Sequence, residues 1–117
     1  MDFTQFQKSS PARSMFRRLG FLEYLDAAKS FYMLRSLIVD YHDNKERGAF
    51  VDAAKRADGT CSSGERILLH AVLYVTDFAW LADELDKEAE RGTWRSFDQV
   101  SGEHRRAVVA CITGAEA

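Results

Sequence analysis

One cysteine and three histidines are the residues whose side chains could support nucleophilic catalysis. Cys61 stands just before the point where a helix is predicted to begin. The positive end of a helix dipole lowers the pKa of a nearby thiol and favours the reactive thiolate. The base would have to be one of three residues, His42, His70 or His104. Because no group that would orient this base can be identified, a small cysteine-dependent enzyme with Cys61 as nucleophile is an alternative interpretation and not the favoured one.

The histidines and cysteines do not show the spacing of a metal site. Helical di-iron sites use paired Glu-x-x-His turns and zinc enzymes use His-Glu-x-x-His, since these spacings place the ligands on one helix face. Neither pattern occurs, and Cys61 and Cys111 have no partner at zinc-finger spacing. We therefore expect no metal and no cofactor. His70 is expected to lie in the core and to hydrogen-bond to a neighbouring helix.

The stretch CSSGERILLHA (residues 61–71) resembles the signature segment of ABC-type and SMC-type ATPases, in which a helix start faces a nucleotide phosphate. Such ATPases also need a Gly-x-x-x-x-Gly-Lys-Ser/Thr loop for the phosphates, and this sequence has none. The favoured interpretation is a helix cap, in which Ser62 and Glu65 form a capping box. Anion binding at the free amides of this helix end is the alternative, and Glu65 would compete with it.

Acidic residues are concentrated in one segment. Residues 77–90 contain six acidic residues and one lysine, a formal charge of −5. An acidic ridge of this kind can dock on a basic protein surface. The predicted partner-binding residues are Asp83, Glu84, Asp86 and Glu90. The other interpretation is a solvated helix face, with pairs such as Asp83 and Lys87 one turn apart.

Basic residues gather near the two ends of the sequence. A helical DNA-binding regulator would contact phosphates through them. The candidate residues for this alternative are Arg13, Arg17, Arg105 and Arg106. A helix, a turn and a helix also follow each other around residue 60, but a recognition helix must present polar side chains to base edges. The segment after Ile67 is too apolar and too long for that role, so DNA binding ranks below protein binding.

Helices must position all of these residues. The 117 residues include one proline and seven glycines, and no alternation of period two predicts a strand. The sequence predicts an all-α bundle of about five helices in a single domain, residues 1–117. The predicted helices cover residues 10–20, 21–44, 45–57 and 63–91, and a last one follows residue 101. The segment from Ile67 to Leu81 is apolar almost all round, so the helix at 63–91 is predicted to be long, central and buried.

The overall composition favours a cytoplasmic regulator. The 16 basic and 18 acidic residues give a formal net charge of −2, which disfavours a protein that coats nucleic acid. A secretory signal and a membrane span of about 18 apolar residues are both expected to be absent. We expect a non-catalytic protein-interaction protein, a regulator or inhibitor that binds a basic partner. Phe3, Phe6 and Trp94 lie outside the predicted apolar faces and could form a homodimer contact.

Overall fold

A computed structural model describes residues 1–116 of the chain. The helices of this part are α1 (Phe3–Lys8), α2 (Ser10–Leu19), α3 (Leu22–Ala27), α4 (Phe31–Asp40), α5 (Ala49–Thr60), α6 (Ser63–Val75), α7 (Ala79–Glu88) and α8 (Gly102–Glu116). A π-helical turn, Tyr41–Lys45, continues α4, and a 3₁₀ segment, Thr93–Gln99, precedes α8. The predicted all-α class is confirmed, although the helices are shorter and more numerous than five. Within residues 1–116, no helix is long and apolar enough to cross a membrane.

The centre of the fold is α6, which packs against α2, α5, α7, α8 and the 3₁₀ segment. Its buried residues lie on nearly every side of the helix: Ile67, Leu68, Leu69, His70, Ala71, Val72, Leu73 and Val75. Each large apolar side chain buried in this way contributes about 1.5–3 kcal/mol relative to an exposed one. The predicted buried central helix is confirmed for this part of the chain.

The last helix, α8, lies along α6 and closes the core. The residues that pack it against the core are buried, with the last of them only partly so: Ala107, Val108, Ala110, Cys111 and Ile112. Complete burial raises the pKa of the Cys111 thiol far above its ordinary value. Cys111 is therefore a small residue of the core.

The predicted helix at residues 63–91 is wrong in its length, because the chain turns sharply between α6 and α7. Asp77 has a φ of 74°, in the left-handed region. The amide of Phe78 donates a hydrogen bond to the carbonyl of Leu73 at 2.7 Å. This is the hydrogen bond of a Schellman stop, formed here with aspartate in the place that glycine usually takes. The corner separates the buried α6 from α7, whose outer face is exposed.

Two further helix boundaries differ from the prediction. The predicted helix at 21–44 is divided into α3 and α4 at residues 28–30. Ser30 begins α4, since its hydroxyl accepts a hydrogen bond from the amide of Met33 at 3.0 Å. Gly48 has a φ of 86° and caps α5, which therefore begins at Ala49 and not at residue 45 as predicted.

The aromatic residues near the N-terminus lie in or against the core, and their predicted exposure is wrong. Phe6 is fully buried and Phe3 is half-buried, because α1 packs over α2 and α8. Both rings contact Phe31 of α4, at centroid distances of 5.1 Å for Phe6 and 4.9 Å for Phe3. Of the three aromatic residues considered for a homodimer contact, Trp94 is the one that is exposed.

Gly114 of α8 permits the close approach of Phe31. A Cβ atom at this position would lie 2.4 Å from Cδ2 of that ring, which is itself packed against Phe6. We expect Gly114→Ala to lower the free energy of unfolding by about 1–3 kcal/mol, the usual effect of overpacking, in urea denaturation. Gly59→Ala is the matched control, because a Cβ at Gly59 of α5 meets nothing within 4 Å. Equal stability of the two variants would contradict the prediction.

Candidate functional site

The exposed side of α7 brings a tryptophan together with acidic side chains. Residues three and four positions apart lie on one face of an α-helix. In α7 the exposed residues with this spacing are Trp80, Asp83, Glu84, Lys87 and Glu88, which we name the α7 face. The opposite side of the helix buries Leu81, Ala82 and Leu85 in the core. This burial fixes the orientation of the α7 face toward solvent.

Trp80 is the aromatic residue of this face, and the sequence did not predict its exposure. It was assigned to the buried central helix, whereas 52% of its surface is exposed. Its ring lies 6.2 Å from that of Phe78, measured between centroids. The misleading signal was the continuous apolar run, which crosses the corner at Asp77 without a visible break. Once α7 is taken as a separate helix, Leu81 and Leu85 define its inner side and Trp80 falls on the outer side.

Three of the four predicted partner-binding residues are exposed, namely Asp83, Glu84 and Glu90. The predicted place of Asp86 on the same ridge is wrong. Its carboxylate accepts hydrogen bonds from the amide and the hydroxyl of Thr93, at 3.0 and 2.6 Å, and pairs with Arg91 at 3.1 Å. Burial alone would raise the pKa of Asp86, but the bonds from Thr93 and Arg91 outweigh it and hold the pKa below its ordinary value.

Asp86 belongs to a buried ionic network that joins α5, α6 and α7 to the segment after α7. At its centre, Asp58 accepts a hydrogen bond from Arg91 and lies 3.0 Å from Nε2 of His70. Arg66 places its Nε 3.4 Å from the same carboxylate. Burial alone would raise the pKa of Asp58, yet the bonds from Arg91 and His70 outweigh it and lower the pKa. Two ionised carboxylates thus balance two guanidinium groups around a buried imidazole.

The network explains the positions of His70 and Asp58. His70 is fully buried and bound to a neighbouring helix, as predicted. Asp58 and Gly59, which lie just beyond the predicted helix at 45–57, are inside α5, which ends at Thr60. Because the carboxylate of Asp58 is taken up by distant partners, it does not compete with the helix for local backbone groups. No group of three histidine, cysteine, aspartate or glutamate side chains within residues 1–115 could hold a metal ion.

Cys61 is a buried residue between α5 and α6, and its predicted activation is wrong. Burial raises the pKa of its thiol, and the charge of Arg18, with Nη1 3.2 Å from Sγ, offsets this only in part. In the described part of the chain, no hydrogen bond joins Cys61 to a histidine. His70 and His104 are both bound to other groups. The structure therefore assembles no cysteine–histidine pair.

The predicted capping box at the start of α6 is confirmed. The amide of Ser62 donates to the carboxylate of Glu65 at 2.8 Å, and the amide of Glu65 donates to the hydroxyl of Ser62 at 3.3 Å. The bond from the Ser62 amide, with a further ion pair to Arg18 at 3.1 Å, holds the pKa of Glu65 below its ordinary value. The carboxylate of Glu65 is thus already bound, by the amide of Ser62 and by Arg18.

The four arginines of the DNA-binding alternative differ in their surroundings. Arg13 pairs with Asp26 at 2.6 Å. Arg105 stacks over the ring of Phe97, 4.2 Å from its centroid, and donates to a backbone carbonyl. Arg17 and Arg106 are exposed. Half of the set is therefore engaged in contacts within the protein, which weakens the case for a phosphate-binding surface.

Comparison with known proteins shows no similarity. The chain matches no known protein family, no curated protein and no solved structure. Its function must be inferred from the α7 face, the buried network and the charges around them.

Proposed function

We propose that this protein is a non-catalytic regulator or inhibitor that binds a basic surface of a partner protein through the α7 face. The observation that supports this most is the half-exposed Trp80 on the same helix face as Asp83, Glu84 and Glu88. Tryptophan is enriched among the residues that dominate binding energy in protein interfaces. Carboxylates around such an anchor select and steer a partner of opposite charge.

The expected binding free energies assign different roles to Trp80 and to the carboxylates of the α7 face. A tryptophan buries about 150–250 Å² in a protein, so covering the exposed half of Trp80 removes about 100 Å² from water and contributes about 2–3 kcal/mol. An exposed ion pair contributes only about 0.2–1 kcal/mol. Trp80 therefore supplies most of the affinity. The carboxylates of the α7 face act mainly on the rate of association and on the choice of partner.

The contacts that hold α7 in place support its proposed role in binding. Its inner side chains are buried, and Asp86 ties the end of the helix to Arg91 and Thr93. A surface that is already rigid loses little conformational entropy when a partner binds. The α7 face is thus suited to present its anchor in a fixed direction.

The charge of the α7 face argues against a second copy of the chain as its partner. A two-fold contact places the same surface of both protomers together. Such a contact would place a face with three carboxylates and one lysine against an identical face, so the excess of like charge would repel. The proposal therefore names a different, basic protein. It places the complex in the cytoplasm, where free thiols such as Cys61 and Cys111 stay reduced.

Charge reversal on the α7 face tests the proposal. The variant combines Asp83→Lys, Glu84→Lys and Glu88→Lys, and its matched control combines Glu23→Lys, Asp52→Lys and Asp98→Lys at other exposed positions. We expect the immobilised wild-type protein to capture a basic protein from its native host. The reversed variant should bind that purified partner at least about 30-fold more weakly in calorimetry, and the control should bind almost normally.

Two further measurements make this experiment decisive. Trp80→Ala should weaken the same binding by a similar factor while leaving the circular dichroism spectrum unchanged, because the side chain is largely outside the core. Equal loss of binding in the reversed variant and its control would show that net charge, and not the α7 face, governs capture. Undiminished binding by the reversed variant would exclude the α7 face.

A further inference from the structure

A small polar cavity of about 120 Å³ lies between the start of α6 and the segment after α7. It is lined by two guanidinium groups, three hydroxyl groups and a glycine: Ser63, Arg66, Arg91, Gly92, Thr93 and Ser96. This cavity lies beside the buried ionic network, which supplies both arginines, and none of its lining residues belongs to the α7 face.

The two arginines offer more hydrogen-bond donors than the protein accepts. Arg66 donates through Nη2 to the carbonyls of Asp58 and Cys61, at 2.9 and 3.1 Å. Arg91 donates through Nε and Nη2 to the carboxylates of Asp86 and Asp58. The buried Nε of Arg66 faces the carboxylate of Asp58 at 3.4 Å, whereas within the described residues Nη1 of neither arginine makes a hydrogen bond. These two Nη1 groups remain available to a ligand with charged acceptor atoms.

The guanidinium group of Arg91 is held in place from behind. Asp58 and Asp86 both bind it, and Arg66 is fixed by two backbone carbonyls. Donors that are oriented in advance lose little entropy on binding. Because the two carboxylates already balance the two positive charges, an anion here would be bound through directed, charge-assisted hydrogen bonds rather than through net charge.

The start of α6 adds to this set of donors. Ser63 is the first residue of α6, where amide groups lack partners within the helix. The sequence predicts that the carboxylate of Glu65 competes with an anion at this helix end. In the structure its carboxylate is bound by the Ser62 amide and by Arg18, and it lines a different cavity. The carboxylate is therefore directed away from the proposed ligand.

We propose that this cavity binds a phosphoryl group, either as free phosphate or as the end of a small phosphomonoester. The cavity, at about 120 Å³, has room for the few oxygen atoms of a phosphoryl group. Two arginines and the hydroxyl groups of Ser63 and Ser96 match a tetrahedral set of charged oxygen atoms, while the hydroxyl of Thr93 donates to Asp86. A carboxylate, with two oxygen atoms, would leave more of the donors unpaired.

The test is a titration of the full chain with potassium phosphate, followed by the amide resonances and compared with potassium chloride at equal ionic strength. We expect saturable shifts confined to residues 63–66 and 91–96. A variant with Ser63→Asp and Ser96→Asp places carboxylates in the cavity without altering either arginine, and should weaken binding at least about tenfold. Ser14→Asp on the exposed side of α2 is the matched control and should bind as the wild type does.

A second arm replaces phosphate with phosphoserine. Saturable shifts of the same residues with either compound support the phosphoryl site, and the tighter of the two identifies free phosphate or an ester as its source. Shifts that do not saturate, or that are equally large in the Ser63→Asp and Ser96→Asp variant, would overturn the proposal. Neither result depends on the α7 face or on a protein partner.

Discussion

Replacing Asp58 with alanine is expected to lower the free energy of unfolding by about 3–5 kcal/mol. The side chain is almost completely buried and is the shared acceptor of Arg91 and His70. Its removal takes away the carboxylate that faces Arg66 and one of the two carboxylates that bind Arg91. Since a domain of this kind is stable by only about 5–15 kcal/mol, the variant should be close to unfolding at room temperature. Urea denaturation followed by circular dichroism measures the difference.

The matched control is Asp52→Ala, which removes an exposed carboxylate from the same helix and should change stability by less than about 0.5 kcal/mol. The pH dependence gives a second check. The pKa of Asp58 in the folded protein lies below its ordinary value of 3.8. The stabilisation by its ionised form is therefore complete above about pH 4 and is lost as the pH falls through the folded pKa. The stability gap between the wild type and Asp58→Ala should narrow in acid, and a gap independent of pH would refute this account.

Signals that act over a few residues could be predicted from the sequence. Ser62 and Glu65 form their capping box because both partners lie within one helical turn. The continuous apolar character around Leu69 predicted a buried helix, since a helix that is apolar on all sides must be covered on all sides. The all-α class follows from the same local patterns, together with the scarcity of proline.

The errors occurred where distant residues decide the outcome. The sequence alone does not distinguish the exposed Asp83 from the half-buried Asp86, because both are acidic and neither interrupts the apolar pattern. The structure separates them, since Asp86 meets Arg91 and Thr93 after the chain has turned back. Similarly, nothing near Asp58 in the sequence shows that Arg91, more than thirty residues later, will bind it. Periodicity describes how a helix faces its surroundings but does not identify the partner of a buried charge.

The same buried network supports both proposed binding sites. Through Asp86 it fixes α7, and through Arg66 and Arg91 it supplies the donors that line the phosphoryl cavity. A variant such as Asp58→Ala would therefore disturb both sites by loosening the fold. For this reason the tests of the two functions change only outer residues, Trp80 and the α7 carboxylates for one and Ser63 with Ser96 for the other.

Replacing Phe50 with alanine is the second change with a large expected effect, a loss of about 3–5 kcal/mol in the free energy of unfolding. The ring is fully buried and joins two aromatic neighbours. It meets Phe21 edge to face at a centroid distance of 5.1 Å, and Phe78 at 4.9 Å. Phe78 closes the corner between α6 and α7, so the cavity left by alanine would lie beneath that corner.

Two controls distinguish packing from a general effect of aromatic residues. Phe50→Leu keeps much of the volume and should cost less than about 1.5 kcal/mol. Tyr32→Ala removes a ring that is 70% exposed and should change stability by less than about 0.5 kcal/mol. Thermal and urea denaturation of the three variants should therefore rank them with Phe50→Ala far below the others. Equal stability of Phe50→Ala and Phe50→Leu would contradict the prediction. It would mean that neighbouring side chains had closed the cavity and that the corner between α6 and α7 does not depend on this ring.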